Sequence, residues 1–252
     1  MSMGDPIRPK WKRYMTDRER FVNYWHEISC NGRGSFVYND ILKRIYKNKI
    51  IAIIRGIGSD RILPTVEALL NGGISLLEVT YNHESNAVEN DTLTSLLLIT
   101  KEFGNDVCLG VGTVLTTKQV EDAIDSGVQY IISPNTDVSV IKKTKELGKI
   151  SIPGAFTPSE MVLAYHAGAD IVKLFPAGVL GTKYIKAVLA PLSHIPVVAV
   201  GGVDADNAAE FIKAGAIGVG VGGKLVDVKS IYAGEYDNIT RTAREYLSKI
   251  KA

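Results

Sequence analysis

From residue 38 onward the chain alternates between short apolar runs and amphipathic segments, and this alternation leaves few folds open. The runs cover residues 50–54, 76–80, 107–111, 130–133, 149–152, 171–175, 196–200 and 217–221. They are short and rich in β-branched residues, so they read as strands buried on both faces. Between them the spacing predicts helices, among them 60–71, 118–126, 139–147, 158–167, 183–192 and 205–214. Several of these end at Gly72, Gly127, Gly148, Gly168 or Gly215. Glycine just past a helix takes the left-handed conformation that stops it. The result is a βα unit of about thirty residues, the building block of parallel sheets. Eight such strands close most economically as a (β/α)8 TIM barrel. An open doubly wound sheet would normally carry a longer glycine-rich first turn. A helix over 38–47 precedes the first strand, and one over 236–249 covers the end of the domain.

Residues 1–35 differ from this pattern and read as an N-terminal extension to a single barrel domain of residues 36–252. Charged and aromatic residues mix without a period in Ile7-Arg8-Pro9-Lys10-Trp11-Lys12-Arg13-Tyr14. Residues 17–29 show a helical stripe of Phe21, Trp25 and Ile28, and Asn31-Gly32-Arg33-Gly34-Ser35 reads as a linker. A net charge of +2 gives no reason to expect a nucleic-acid or membrane partner. Cys30 and Cys108 are too few and too far apart for a disulfide framework or a zinc site. No apolar run is long enough to span a bilayer, and no signal-peptide core is present, so a cytoplasmic location is expected.

The working residues of such a barrel lie at the C-terminal ends of its strands. The sixth run, Ala169-Asp170-Ile171-Val172-Lys173-Leu174-Phe175-Pro176, holds a lysine among apolar neighbours. Strand parity puts Lys173 on one face with Ile171 and Phe175. An ammonium there is costly to desolvate, so its pKa falls, and a partly neutral amine is the nucleophile of Schiff-base chemistry. The alternative is a lysine that snorkels to the strand end and pairs with a carboxylate. Glu78 shares a face with Leu76 and Thr80 and points inward as Lys173 does, an acid/base beside an amine. A salt bridge from Glu78 to Lys173 or Arg55 without turnover is the competing reading. Gly201-Gly202 and Gly222-Gly223 follow the last two strands, where backbone N–H groups of such barrels often hold phosphate. Lys224 adds either a cation there or a solvated side chain. No pair among His26, His83, His166 and His194 has metal-ligand spacing, which disfavours a metal-dependent mechanism. His83 lies near a strand end, with surface placement expected.

The chain from about residue 38 onward resembles the 2-dehydro-3-deoxy-phosphogluconate (KDPG) and 4-hydroxy-2-oxoglutarate (KHG) aldolases, class I enzymes of the (β/α)8 fold. The resemblance is carried by Ile53-Ile54-Arg55-Gly56, Leu77-Glu78-Val79-Thr80, Gly110-Val111-Gly112-Thr113-Val114 and Ile132-Ser133-Pro134-Asn135. It continues through Pro153-Gly154-Ala155-Phe156-Thr157-Pro158-Ser159-Glu160, Val172-Lys173-Leu174-Phe175-Pro176-Ala177 and Val200-Gly201-Gly202-Val203. It implies reversible retro-aldol cleavage to pyruvate and an aldehyde, with neither cofactor nor metal. It makes Lys173 the Schiff-base lysine and Glu78 the proton-shuttling acid. By the same resemblance Thr113 and Pro134 bind the pyruvate carboxylate and line its pocket, and Phe175 packs beside the lysine. Arg55 lies near the substrate's polar end, and Gly201, Gly202 and Gly222 hold its phosphate. The resemblance also implies a homotrimer acting in sugar-acid breakdown of the Entner–Doudoroff type.

Three positions depart from the family pattern. Asn82 stands where the gluconate enzymes carry arginine, and it looks like the phosphogalactonate (KDPGal) branch. Gly223 aligns with a phosphate-binding serine, so one hydroxyl donor is missing; such a bond is worth about 1.5–3 kcal/mol. Residues 1–35 are an extension that the family generally lacks. The expected function is cleavage of a 2-keto-3-deoxy-6-phospho sugar acid to pyruvate and glyceraldehyde 3-phosphate. Cleavage of KHG to pyruvate and glyoxylate, and a non-catalytic barrel that binds sugar phosphate, are the alternatives.

Overall fold

A computed structural model describes residues 33–83 and 86–251, and the expected helix over 17–29, Cys30 and His26 lie outside them. Helix α1 (Arg33–Asn48) leads into β1 (Ile50–Ile54), α2 (Ser59–Asn71), β2 (Leu76–Thr80), α3 (Asn86–Phe103) and β3 (Cys108–Gly112). Then come α4 (Thr117–Ile124), β4 (Tyr130–Ile132), α5 (Val138–Glu146), β5 (Ile150–Ile152), β6 (Gly154–Ala155) and α6 (Pro158–His166). The remainder is β7 (Val172–Leu174), α7 (Ala177–Leu189), β8 (Val197–Val200), α8 (Ala208–Lys213), β9 (Gly218–Val221), α9 (Val228–Tyr232) and α10 (Tyr236–Lys251).

All strand pairings are parallel, in the order β5-β4-β3-β2-β1-β9-β8-β7-β6. The two ends of that order are consecutive in the chain, separated by Pro153 alone. Proline has no N–H to donate, so the ladder is interrupted there while the chain direction continues. Lys173 N donates to Pro153 O at 2.9 Å, and Asp170 N donates to Ser151 O at 3.0 Å. Those bonds join the far edge of the sheet back to the β5–β6 segment and close it. The (β/α)8 barrel expected from the sequence is present, with its fifth strand broken at the proline.

Strand parity sorts the apolar side chains into two separate cores. Ile50, Ala52 and Ile54 of β1, with Leu77, Val79, Leu109 and Val111, face outward and meet the helices. Ile51, Ile53, Leu76, Cys108, Tyr130, Ile132, Ile150, Ile152, Ile171, Val198 and Val200 fill the barrel itself. The interior core also takes in Ile41 and Ile45 of α1, with Tyr38, Leu42 and Tyr46 packed against it. Because α1 runs directly into β1, it sits at the N-terminal end of the strands and plugs that end. Asp170 secures it: Tyr38 OH donates to its carboxylate, Lys145 Nζ bonds it at 2.7 Å, and Ser151 N donates to it at 2.8 Å. Among the described residues, α1 therefore covers the N-terminal end of the barrel, opposite the strand ends that carry Arg55, Thr113 and the glycines at 201, 202, 222 and 223.

Tyr130 is the largest buried side chain within the barrel, and its hydroxyl donates to Leu77 O at 2.5 Å. Its ring occupies the space beside Gly110, where an added Cβ would lie 2.0 Å from the ring.

Four sequence expectations need correction. Helix α1 starts at Arg33, so Arg33-Gly34-Ser35 is helical where a linker was expected; once Ile41 and Ile45 dock, extending the helix by further turns is cheap. The left-handed stop after α2 is Gly73 (φ 92°), whereas Gly72 is helical. Gly72 is needed for a different reason: a Cβ there would lie 2.4 Å from Ala243 Cβ on α10. Helix α7 begins at Ala177 but breaks at Gly181 (φ 73°), so its long part starts near the expected residue 183. Helix α8 starts three residues later than expected. Asp204 accepts from the N–H groups of Asp206 and Asn207 while Asn207 Oδ1 accepts from Asp204 N, a side-chain turn that competes with the helix.

Gly110→Ala is expected to lower stability by about 1–3 kcal/mol through overpacking against Tyr130, measured by urea denaturation. An unchanged midpoint would show that the ring has room to move.

Candidate active site

Residue 78 in β2 and residue 173 in β7 both point into the barrel, as strand parity requires once Leu76 and Ile171 face that way. Glu78 is 1% exposed and Lys173 3%. Burial pushes the Glu78 carboxyl up, against the pull of Lys173 and then Arg55. Burial likewise pulls the Lys173 ammonium down, opposed by Glu78 and reinforced by Arg55. Each group thus moves toward its neutral form, which for the lysine is the nucleophilic one. Among the described residues, no hydrogen-bond partner reaches the buried Oε1 of Glu78. That oxygen is an acceptor turned into the barrel beside Gly112.

The space for that carboxyl comes from the neighbouring strand. Gly112 pairs with Thr80, two residues beyond Glu78, and a Cβ at Gly112 would lie 1.7 Å from Glu78 Oε1. Gly110 and Gly112 of the same strand therefore vacate two successive positions, one for the Tyr130 ring and one for the Glu78 carboxyl. The next residue, Thr113, has φ 59°, a left-handed conformation costly for a β-branched side chain. The Phe175 ring lies 5.1 Å from Lys173 Nζ, within cation–π range. Gly154 pairs with Lys173 in register, and its missing Cβ leaves room for Pro134 O, which would otherwise stand 2.2 Å away.

The family described as KDPG and KHG aldolase matches residues 41–242. The chain belongs to the KDPG and KHG aldolase family. It is 37% identical over 207 residues to a 2-dehydro-3-deoxy-6-phosphogalactonate aldolase of Escherichia coli, an alignment covering 82% of this chain and 95% of the relative. It is 28% identical to the 2-dehydro-3-deoxy-phosphogluconate aldolase of Haemophilus influenzae, covering 86% of this chain and all of the relative. A native KDPGal structure superposes with TM-score 0.73 at 33% identity, covering 80% of this chain and 94% of that one. A KDPG aldolase of Legionella pneumophila, with pyruvate captured as a covalent carbinolamine, superposes with TM-score 0.72 at 25% identity, covering 85% and 97%.

The residues expected from the sequence lie in the strands or just beyond their C-terminal ends. Arg55 is exposed at the end of β1, near enough to act electrostatically on both Glu78 and Lys173. Asn82, Thr113 and Pro134 are half-buried on the rim. Gly201 (φ 85°) lies under the Phe175 ring, where a Cβ would approach to 3.0 Å. Gly202 (φ 74°) packs on Gly178, whose N–H donates to Gly201 O at 2.7 Å. Gly222 is half-buried beside Ile53, while Gly223 and Lys224 are exposed. The Thr157-Pro158-Ser159-Glu160 part of the family pattern has a structural explanation: Thr157 and Glu160 form a reciprocal capping box at the start of α6. Among the described residues, no cluster of three His, Cys, Asp or Glu side chains could hold a metal ion.

Sequence reasoning put Gly110, Gly112 and Tyr130 on strands without giving them a task, and it overlooked Gly178. The Gly-x-Gly spacing within a strand was the available signal, since alternate glycines empty one face of it.

A raised folded pKa for Glu78 means that ionising it opposes folding. That penalty is absent below its unfolded value of about 4 and grows as pH rises toward the folded value. Glu78→Gln is therefore expected to raise the urea midpoint at about pH 7.5 and to change it little at about pH 4. A variant less stable than the parent at the higher pH would show that the acid is held by favourable contacts.

Proposed function

We propose that this protein is a class I aldolase that cleaves a 2-keto-3-deoxy-6-phospho sugar acid to pyruvate and glyceraldehyde 3-phosphate. The carrying observation is the buried amine of Lys173 sharing a barrel mouth with the unbonded carboxyl oxygen of Glu78. The Lys173 amine adds to the C2 ketone to give a carbinolamine; the protonated Glu78 carboxyl gives its proton to the departing hydroxyl, which leaves as water, and an iminium and the Glu78 carboxylate remain. Glu78 accepts the C4 hydroxyl proton as the C3–C4 bond breaks, and the bonding pair passes to the iminium to give an enamine. The aldehyde departs, the enamine takes a proton at C3, and hydrolysis returns pyruvate and the free amine. Burial helps at both ends: it favours the uncharged lysine that attacks and an acid whose affinity for a proton is high enough to shuttle one.

In this reading Thr113 and Pro134 hold the pyruvate carboxylate, Arg55 and Asn82 face the polar end, and Gly201, Gly202, Gly222 and Gly223 surround the phosphate. The relative at 37% identity, named for phosphogalactonate, and Asn82 favour the galactonate epimer. Gly223, which has no hydroxyl, favours a second reading in which unphosphorylated KHG is cleaved. A barrel domain of residues 36–252 with an appendage of residues 1–35, a homotrimer, and a cytoplasmic role in sugar-acid breakdown of the Entner–Doudoroff type complete the proposal. Among the described residues no helix is long and apolar enough to cross a membrane.

Borohydride reduction in the presence of pyruvate is expected to leave a pyruvyl adduct on Lys173, read by peptide mass spectrometry. An intact lysine with retained sugar-phosphate binding would instead identify a binding protein. Glu78→Gln should keep the adduct and slow cleavage about 10²–10⁴-fold, the range for a lost general acid/base. Rates on KDPGal, KDPG and KHG, in that expected order, identify the substrate. At Gly223 a Cβ would meet nothing within 4 Å. Gly223→Ser is accordingly expected to lower KM for the phosphorylated substrates about tenfold through one charge-assisted hydrogen bond, with KHG unaffected. An unchanged KM would place the phosphate elsewhere.

A further inference from the structure

We infer that His83 is a positioning residue for this reaction, acting through the backbone of Thr113. The β2–β3 ladder ends at the pairing of Thr80 with Gly112. Tyr81 N then donates to Gly112 O at 2.9 Å, one residue past the ladder. The next carbonyl along, Thr113 O, lies 2.9 Å from His83 Nε2. A carbonyl only accepts, so Nε2 carries the hydrogen and donates. The consecutive carbonyls of residues 112 and 113 are thus both held from the segment that follows β2, the first by the Tyr81 backbone and the second by the His83 imidazole. The Tyr81 ring, with its centroid 6.5 Å from that of His83, flanks the imidazole.

What is gripped is the strained residue of the site. Thr113 stands at φ 59°, and a threonine stays in that region only where its surroundings over-determine it. Its amide side follows Gly112, which houses the Glu78 carboxyl, and Val114 N is anchored to Ile132 O at 3.2 Å. The Thr113 carbonyl is the remaining handle on this peptide, and His83 holds it. Although exposed, His83 is therefore tied to the position that the proposed function assigns to the substrate carboxylate. The imidazole sets the orientation of Thr113 and touches neither the amine nor the bond that breaks. This inference rests on the aldolase reading for its consequence, while the tether itself is independent of it.

Two variants separate these parts. His83→Leu removes the donor, whereas in His83→Gln the side-chain amide places an N–H near the position of Nε2. Pyruvate dependence is read from borohydride trapping at Lys173. His83→Leu is expected to raise the half-saturating pyruvate concentration about three- to tenfold, the change for one neutral hydrogen bond, with the maximal trapping rate altered less. His83→Gln is expected to return it to within about twofold of the parent, inside the same range. A purely structural loss would lower the amount of active protein and leave half-saturation where it was. Hydrogen exchange over residues 112–116 reads the tether whether or not the parent is trapped by pyruvate. It should quicken in His83→Leu, stay near the parent in His83→Gln, and leave the other strands unchanged. Exchange unaltered in His83→Leu, or half-saturation equal to the parent's in a trappable enzyme, overturns the inference. Failure of the parent itself to be trapped overturns the aldolase reading instead.

Discussion

The burial of one amine and one carboxylic acid in the same apolar barrel is the constraint around which this structure is arranged. Desolvating either charge is expensive, and the fold shows how far the surroundings have been adapted to tolerate it. Below the pair, Tyr130 and the isoleucines fill the barrel, and α1 packs against its N-terminal end. Around the pair, glycines at 112, 154 and 201 let the carboxyl, the Pro134 backbone and the Phe175 ring approach more closely than any side chain at those positions would permit. The polar groups are thus gathered toward the C-terminal ends of the strands. A buried pair of this kind is a cost to folding, and natural proteins retain such costs mainly at working sites.

Closure of the barrel and placement of the site are linked through the fifth strand. Pro153 interrupts the ladder between β5 and β6, and Lys173 N donates to the carbonyl of that same proline. The bond that seals the sheet therefore also fixes the backbone of the lysine. On the opposite wall, β3 gives up two side chains in succession, which admits Tyr130 low in the barrel and Glu78 above it. The wall lysine and the wall acid are held by strands, whereas Arg55, Asn82, Thr113, Pro134 and the glycines at 201, 202, 222 and 223 lie beyond the strand ends. Sites built on strands hold their geometry more tightly than those built on loops, so variation in substrate is expected at the rim and not at the pair.

The sequence made the barrel legible because its strands are buried on both faces and its helices stop at glycine. The ranges 50–54 and 76–80 coincide with β1 and β2 as observed. The inward direction of Lys173 and Glu78 followed from alternation alone, given apolar residues two positions away on the same face. Less legible were the starts of α1 and α8. Helix α1 lengthens because tertiary packing at Ile41 and Ile45 supports it, and α8 shortens because a side-chain turn at 204–207 outcompetes its first turn. The exchange of roles between Gly72 and Gly73 has the same character. Which glycine stops the helix depends on φ, but which one must lack a side chain depends on the approach of α10.

By itself, the sequence determined periodicity, parity and chemistry: a repeated βα unit, an amine and an acid on inward faces, and glycines after the last two strands. These follow from local rules that need no knowledge of neighbours. Only the tertiary structure decided what each glycine makes room for, that Glu78 keeps an unbonded oxygen, and that His83 reaches the carbonyl of Thr113. Those facts join residues from different strands and loops, and the distances between such residues exist only once the sheet has closed.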